Sequence, residues 1–223
     1  YEDLPTDSLH KLEITIAQSV QDEQSLDIKD PIFVSETKEG LPIHRENTFV
    51  DFNSSHLVYR MRSRSGPAFA YDELSNLIYV GGATRTEPQL IQIVSGRMIP
   101  VADAGFDSES EFEDTDAIFF DADGDGDQDL YVSSGGSEHR ANAPALTDRL
   151  YINENGSFTR SSDRIPYIYA ASSSVVSFDL EGDGDQDLMV GSDFNTRSPW
   201  MPAPLRVLEN DGKGYFQEIT HKF

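Results

Sequence analysis

Two ten-residue stretches hold the densest chemistry in the chain: Asp121-Ala-Asp-Gly-Asp-Gly-Asp-Gln-Asp-Leu130 and Asp179-Leu-Glu-Gly-Asp-Gly-Asp-Gln-Asp-Leu188. They align without gaps at an offset of 58 residues. In the first, Asp121, Asp123, Asp125, Asp127 and Asp129 fall at positions one, three, five, seven and nine. In the second the same positions hold Asp179, Glu181, Asp183, Asp185 and Asp187. A hard dication such as Ca²⁺ takes about six to eight oxygen ligands at about 2.3–2.6 Å, and a short loop supplies them when alternate residues turn inward. The glycines Gly124, Gly126, Gly182 and Gly184 stand where the chain must bend. Side chains at positions one, three, five and nine are expected as ligands, with the backbone carbonyls of Asp127 and Asp185 at position seven. Glu181 is one methylene longer than Asp123, which either weakens the second site or makes it bind through a water. Two Ca²⁺ ions are expected.

Other readings of these loops fare worse. So many carboxylates in nine residues repel one another unless a cation sits among them, which argues against a plain acidic turn. An EF-hand needs a bidentate Glu at position twelve and flanking helices. That position is Val132 in one loop and Val190 in the other, each inside an apolar run. Zinc prefers nitrogen and sulfur donors, and the loops contain neither His nor Cys. Magnesium fits the donor type but usually keeps several waters.

Catalytic patterns are missing. The five histidines, His10, His44, His56, His139 and His221, are scattered and read as surface or packing residues. No HExxH or GxSxG pattern occurs. Glu109, Glu111, Glu113, Asp114 and Asp116 cluster before the first loop, where a solvated connection is expected rather than a glycosidase pair. The GDGD glycines separate carboxylates that would repel a phosphate, so nucleotide binding is not expected. With no cysteine there is neither a disulfide nor a thiol nucleophile. Forty acidic residues against seventeen basic ones give a net charge of −23, which repels nucleic acid. No apolar run approaches the roughly 18 residues that a membrane span requires. No enzyme activity is expected.

Strands must carry these loops. Ala117–Phe120 and Val175–Phe178 precede them, while Leu130–Val132 and Leu188–Val190 follow, so each unit reads strand, acidic loop, strand, turn. Further on, Leu150–Phe158 and Leu205–Phe216 hold Asn-Gly and Asp-Gly between apolar runs, the mark of hairpins. A weaker third copy lies upstream in Gly66–Tyr71, Leu77–Gly82 and Gln89–Ile93. Its loop, Asp72–Asn76, is too short and too poor in carboxylates to wrap a cation. Units of about four strands recurring every 50–60 residues predict an all-β chain of β-propeller blades, with a β-sandwich as the alternative. The expected organisation is a tail of a preceding module and linker over 1–30, then three repeats over 31–223. They run about 45–105, degenerate, then 106–163 and 164–223, both calcium-binding. Leu12–Ile16 reads as a half-buried strand. Three blades fall short of the roughly four to eight in a closed propeller. The chain is therefore expected to be a segment of a longer protein, which supplies the remaining blades, with any export signal or lipid anchor upstream of Tyr1.

The two loops resemble those of the integrin-α-like FG-GAP and VCBS repeats, whose D-x-D-G-D-G-x-x-D segments bind calcium between blade strands. Glu46-Asn-Thr-Phe-Val-Asp-Phe52, Gly66-Pro67, Tyr79-Val-Gly-Gly-Ala83, Phe119–Gly136 and Asp148-Arg-Leu-Tyr-Ile152 are similar to the bacterial cartilage acidic protein family, over roughly residues 32–220. This resemblance implies export to the extracellular space or to the outer-membrane surface of a Gram-negative bacterium. It also implies binding, adhesion or assembly with a protein or glycan partner at a cell surface. The alternative is a part, catalytic or not, of a carbohydrate-active enzyme or glycan-uptake system. Contacts are expected from the connections Ser137–Thr147 and Phe194–Pro204, the second of which contains Trp200 and Met201.

Overall fold

The computed structural model describes residues 44–54, 62–102, 104–106, 109–198 and 201–223. The chain divides into two compact units, Tyr1–Glu39 and Gly40–Phe223. The first unit, with the expected strand Leu12–Ile16, lies outside the described residues, as do His10, His56 and Trp200.

Among the described residues the second unit has one α-helical turn, α1 (Asp51–Ser54), and two short 3-10 turns, Pro144–Leu146 and Thr220–Lys222, and is otherwise built of strands and their connections. The first group of strands is β1 (Phe69–Asp72), β2 (Leu77–Val80), β3 (Gln89–Val94) and β4 (Arg97–Pro100). The second is β5 (Asp114–Phe120), β6 (Asp129–Ser134), β7 (Arg149–Glu154) and β8 (Ser157–Arg160). The third is β9 (Ala171–Phe178), β10 (Asp187–Phe194), β11 (Leu205–Asn210) and β12 (Phe216–Glu218). Each group forms one four-stranded antiparallel meander in chain order. The fold is all-β, built of three blade-like sheets, as the repeats predict.

Local chemistry sets the hairpins. Asn155 and Gly156 both take positive φ, 55° and 91°, and place Glu154 opposite Ser157 in a two-residue turn between β7 and β8. Such turns twist with their strands and favour Asn-Gly. Ser95 and Gly96 do the same between β3 and β4, a turn and a strand beyond the three that the sequence shows in this repeat.

The middle sheet is buried on both faces, which explains why its strands read as continuous apolar runs rather than alternating ones. From one face Ala117, Leu130, Val132, Tyr151 and Phe158 join Leu77, Tyr79 and Leu90 of the first sheet in one core. From the other, Phe120, Tyr131, Leu150 and Ile152 join Val175, Leu188, Leu208 and Phe216 of the third sheet in a second core. All six residues of β6 are buried. Sheets stacked face to face in sequence, with a core between each pair, are the packing of propeller blades.

Polar clasps fasten these cores at one end. Asp114 accepts hydrogen bonds from the Tyr79 hydroxyl and the Gly82 N–H, both at 2.8 Å, tying the second sheet to the first. Asp148, just before β7, accepts from the Tyr131 hydroxyl at 2.8 Å and the Ser134 N–H at 2.9 Å, both of β6. Arg149 pairs with Asp114 and, at 3.4 Å, with Glu109; Arg206 of the third sheet reaches Asp148 at 3.1 Å. Arg149 also lies over the Phe112 ring, 4.0 Å from its centroid.

These contacts correct the expectation that the acidic cluster at 109–116 is a solvated connection. Glu109, Glu113 and Asp114 are 7%, 0% and 1% exposed. Asp116 accepts a hydrogen bond from the Val175 N–H at 2.9 Å, stitching β5 to β9. Only Glu111 of the five faces solvent. For Glu109, Asp114 and Asp116 the physical reason is pairing, because a carboxylate leaves water when fixed donors or a guanidinium replace its hydration.

Candidate metal centre

The first acidic loop joins β5 to β6, and hydrogen bonds to its own backbone shape it. Asp121 accepts from the N–H groups of Gly124, at 2.8 Å, and Gly126, at 3.1 Å. Gly124 and Gly126 have φ of 78° and 92°, where a side chain would be strained. Asp125 accepts from the Asp127 N–H at 2.8 Å, and Asp127 from the Asn155 N–H of the β7–β8 hairpin at 2.8 Å. Asp129 is 0% exposed and anchors both ends of the loop, accepting from the Ala122 and Asn153 N–H groups at 2.8 Å each.

Three of the five carboxylates converge. Asp121, Asp123 and Asp129 each offer an oxygen, and these lie within 4.8 Å of one another, close enough to share one metal ion. No second grouping of this kind occurs among the described residues. Asp123 pairs through Oδ2 with Arg164 Nη1 at 3.0 Å, while its Oδ1 is buried and accepts no hydrogen bond among the described residues. A buried carboxylate oxygen without a donor is costly unless a cation completes it, so the donor set fits a dication. Burial first, and then the charges of Asp123 and Asp125, push the Asp129 carboxyl up to about 6 against the pull of its two backbone donors. Negative potential concentrates there.

The second loop, between β9 and β10, repeats the frame. Asp179 accepts from Gly182, Asp183 and Gly184 N–H groups at 2.6, 3.2 and 3.1 Å. Asp187, 0% exposed, accepts from Leu180 at 2.8 Å and Asn210 at 2.9 Å. Asp183 accepts from the Asp185 N–H at 3.3 Å. Asp185 Oδ1 is buried without a partner among the described residues, and its carboxyl is pushed up to about 6, by desolvation and then by Asp183 and Asp187. Position three differs. Desolvation, a hydrogen bond with Glu209 and the charge of Asp187 raise the Glu181 carboxyl to about 7. Glu209 in turn pairs with Lys222 at 2.8 Å. Loop two thus keeps the backbone cradle without the three-carboxylate convergence of loop one.

Several supporting residues lie outside the motif. Arg164 ties Asp123 to the Lys213 carbonyl of the β11–β12 connection, at 2.9 Å. The side-chain amide of Asn210 donates to the Ala122 carbonyl at 2.8 Å, so the third sheet also buttresses loop one. A signal for the asparagines was present. Arg149 and Asn153 are four residues apart, as are Arg206 and Asn210, and strand pairing sets Tyr151 and Leu208 at equivalent places opposite Leu130 and Leu188. The repeats therefore match Arg to Arg and Asn to Asn, whereas setting Leu150 against Leu205 shifts them out of register. Arg164 has no such counterpart and is invisible to a repeat comparison.

In the degenerate copy, Asp72 accepts from the Leu74 N–H at 2.8 Å and the Ser75 N–H at 3.1 Å, so the carboxylate that would begin a metal loop caps its own tight turn. Val132 and Val190 lie within β6 and β10, with no helix beside either loop.

No helix among the described residues is long and apolar enough to cross a membrane. Comparison with curated proteins gives no match. The family model of the FG-GAP-like repeat matches residues 121–190, a span that runs from the start of loop one to the end of the apolar run after loop two. The chain therefore carries an FG-GAP-like repeat, and both acidic loops lie inside it.

Proposed function

We propose that the chain is a non-enzymatic, calcium-binding module of propeller blades that works outside the cytoplasm, at a cell surface, by holding a protein or glycan partner. Calcium at each loop would be held by side-chain oxygens at positions one, three, five and nine and the carbonyl at position seven. When bound, the ion would supply positive charge that neutralises the crowded carboxylates and locks the β5–β6 and β9–β10 connections. The observation that carries the partner-binding reading is the separation of two ends. Loop one follows Phe120, which pairs with Asp129, whereas Ser134 at the far end of β6 pairs with Asp114 and leads into the connection 135–148. Residues of that connection line a cleft of about 860 Å³, and Asn195, Thr196, Arg197 and Pro204 line another of about 360 Å³. The acidic loops lie at one end and the long connections shape the other, where binding residues are usually found.

The test is retention of cell-envelope components by the immobilised calcium-loaded chain. Phe49→Ala and Tyr167→Ala, one in each cleft, are expected to lose retention, while Glu154→Ala at the hairpin end keeps it. Equal retention by all three removes the assigned face.

A further inference from the structure

One hairpin touches both acidic loops. β11 ends at Asn210, which is 7% exposed, and its side-chain amide donates to two carbonyls: Ala122 of loop one at 2.8 Å and Gln186 of loop two at 3.1 Å. Ala122 stands between Asp121 and Asp123, and Gln186 between Asp185 and Asp187, so each carbonyl is flanked by expected ligands. The Asn210 N–H goes to Asp187 at 2.9 Å, and its side-chain oxygen accepts from the Gly214 N–H at 3.1 Å. The amide is therefore held at every polar atom and cannot turn away from either loop without losing bonds that its burial makes hard to replace.

The turn between β11 and β12 packs against both loops as well. Arg164 Nη1 donates to Asp123 at 3.0 Å and to the Lys213 carbonyl at 2.9 Å, while the Arg164 carbonyl accepts from the Phe216 N–H at 2.7 Å. A methyl group at Gly214 would stand 2.8 Å from Arg164 Nη1 and 3.3 Å from Asp123 Cβ, and one at Gly212 would stand 3.3 Å from Asp185 Oδ2. The backbone of this turn thus fills the space between a carboxylate of loop one and a carboxylate of loop two. Asn153, at the equivalent place in the second sheet, grips Gln128 of loop one at 3.0 Å, but the first sheet carries the tight turn Asp72–Asn76 in place of an acidic loop. Among the described residues, only the β11–β12 hairpin has an acidic loop on either side.

These contacts have a thermodynamic consequence. When loop two is filled, Asp187 and the backbone around Gln186 hold one arrangement, and Asn210, with the turn that Arg164 grips, carries that order to Ala122 and Asp123. Loop one then binds with part of its ordering already done, which raises its apparent affinity. Charge works in the opposite direction, because a filled loop two weakens the negative potential at loop one. Salt confines that effect to about 8 Å at about 0.15 M ionic strength, whereas buried hydrogen bonds are screened much less. We infer that Asn210 and Arg164 are positioning residues that couple the two calcium sites, so that filling either loop raises the affinity of the other. The coupling is reciprocal by necessity, and such couplings typically amount to about 5–150-fold in affinity. The inference rests on the reading of both loops as calcium sites.

The test is a calcium titration of the full chain followed by NMR at about 0.15 M salt, with the amide signals of Gly126 and Gly184 reporting the two loops separately. Asp183→Asn, which disables loop two, is expected to weaken loop one by about fivefold or more. In chains that carry Asn210→Ala or Arg164→Gln, the same substitution should change loop one by less than about twofold, because the path between the loops is cut. A loss due to charge alone would persist undiminished in both backgrounds and would overturn the inference. So would a loop one indifferent to Asp183→Asn in the parent chain, or one that binds more tightly. Arg164 is partly exposed, so Arg164→Gln keeps the test decisive should Asn210→Ala fail to melt cooperatively in chelator. Silence of both glycines removes the calcium reading itself, whereas independent filling of the two loops removes only the coupling.

Discussion

At the scale of single residues, Asp123 and Asp127 separate two roles that look identical in the motif. Asp123 has one oxygen buried without a donor inside the three-carboxylate group, while Asp127 spends its carboxylate on the Asn155 N–H. Asp123→Asn is expected to weaken calcium binding at loop one at least tenfold, about 1.4 kcal/mol. Asp127→Asn keeps an acceptor oxygen and should change affinity less than threefold; isothermal titration distinguishes them, and equal losses would refute the assignment. Glu113 offers a second residue-scale outcome. It is 0% exposed, and its Oε1 has no partner among the described residues. Burial raises its carboxyl, the Thr84 N–H opposes this, and the charges of Glu138, Glu46 and Asp114 add to it, giving about 8 against an ordinary 4.5. The folded chain therefore binds a proton more tightly than the unfolded one. The stabilisation is complete below about pH 4.5 and is lost as pH rises to about 8. Glu113→Gln should melt like the parent near pH 4.5 and above it at pH 8; parallel curves at both pH values would show that Glu113 is not the group responsible.

At the scale of elements, the stacking of sheets depends on charge as much as on apolar area. Arg149 is 1% exposed and bridges Asp114, which clasps the first sheet, to Glu109. Removing one partner of a buried pair leaves an uncompensated charge, which costs about 3–5 kcal/mol. Arg149→Met should therefore destabilise by that amount in urea unfolding. Pairing it with Asp114→Asn should restore part of the loss, since the stranded carboxylate is gone. A double variant as unstable as the sum of the singles would mean that the two residues act independently.

At the scale of the molecule, the two loops bear on stability and shape together. The net charge of −23 works against compactness, and the loops concentrate part of it. A ligand that binds only the folded chain stabilises by about 2.7 kcal/mol at a hundredfold excess over Kd. For a unit of this size that corresponds to about 5–10 °C in melting temperature. Chelation should lower the melt by that amount and speed hydrogen exchange at 121–129 and 179–187. Because Asn153 and Asn210 are tied to Asp129 and Asp187, exchange should also rise in the β7–β8 and β11–β12 hairpins. A melt unchanged in excess chelator would rule out a structural role for the ion.

The features legible in the sequence are those that a few consecutive residues decide. The loop frames follow from Asp at alternate positions and Gly at bends, because Asp121 and Asp179 bond amides only three to five residues away. The Asn155-Gly156 hairpin and the all-β class follow from equally local preferences. Tertiary structure decided what depends on residues far apart in the chain. The acidic run at 109–116 has the composition of a solvated connection, and only the arrival of Arg149 some 35–40 residues later buries Glu109 and Asp114. Asp72 looks like a vestigial ligand and proves to be a turn cap. Arg164 reaches Asp123 across 41 residues, and the cleft joins Asn47 to Glu138 across 91. Spacing along the chain cannot encode such meetings, because which side chains face one another is set by how the sheets stack. That stacking is fixed by two cores, each drawing residues from two sheets at once.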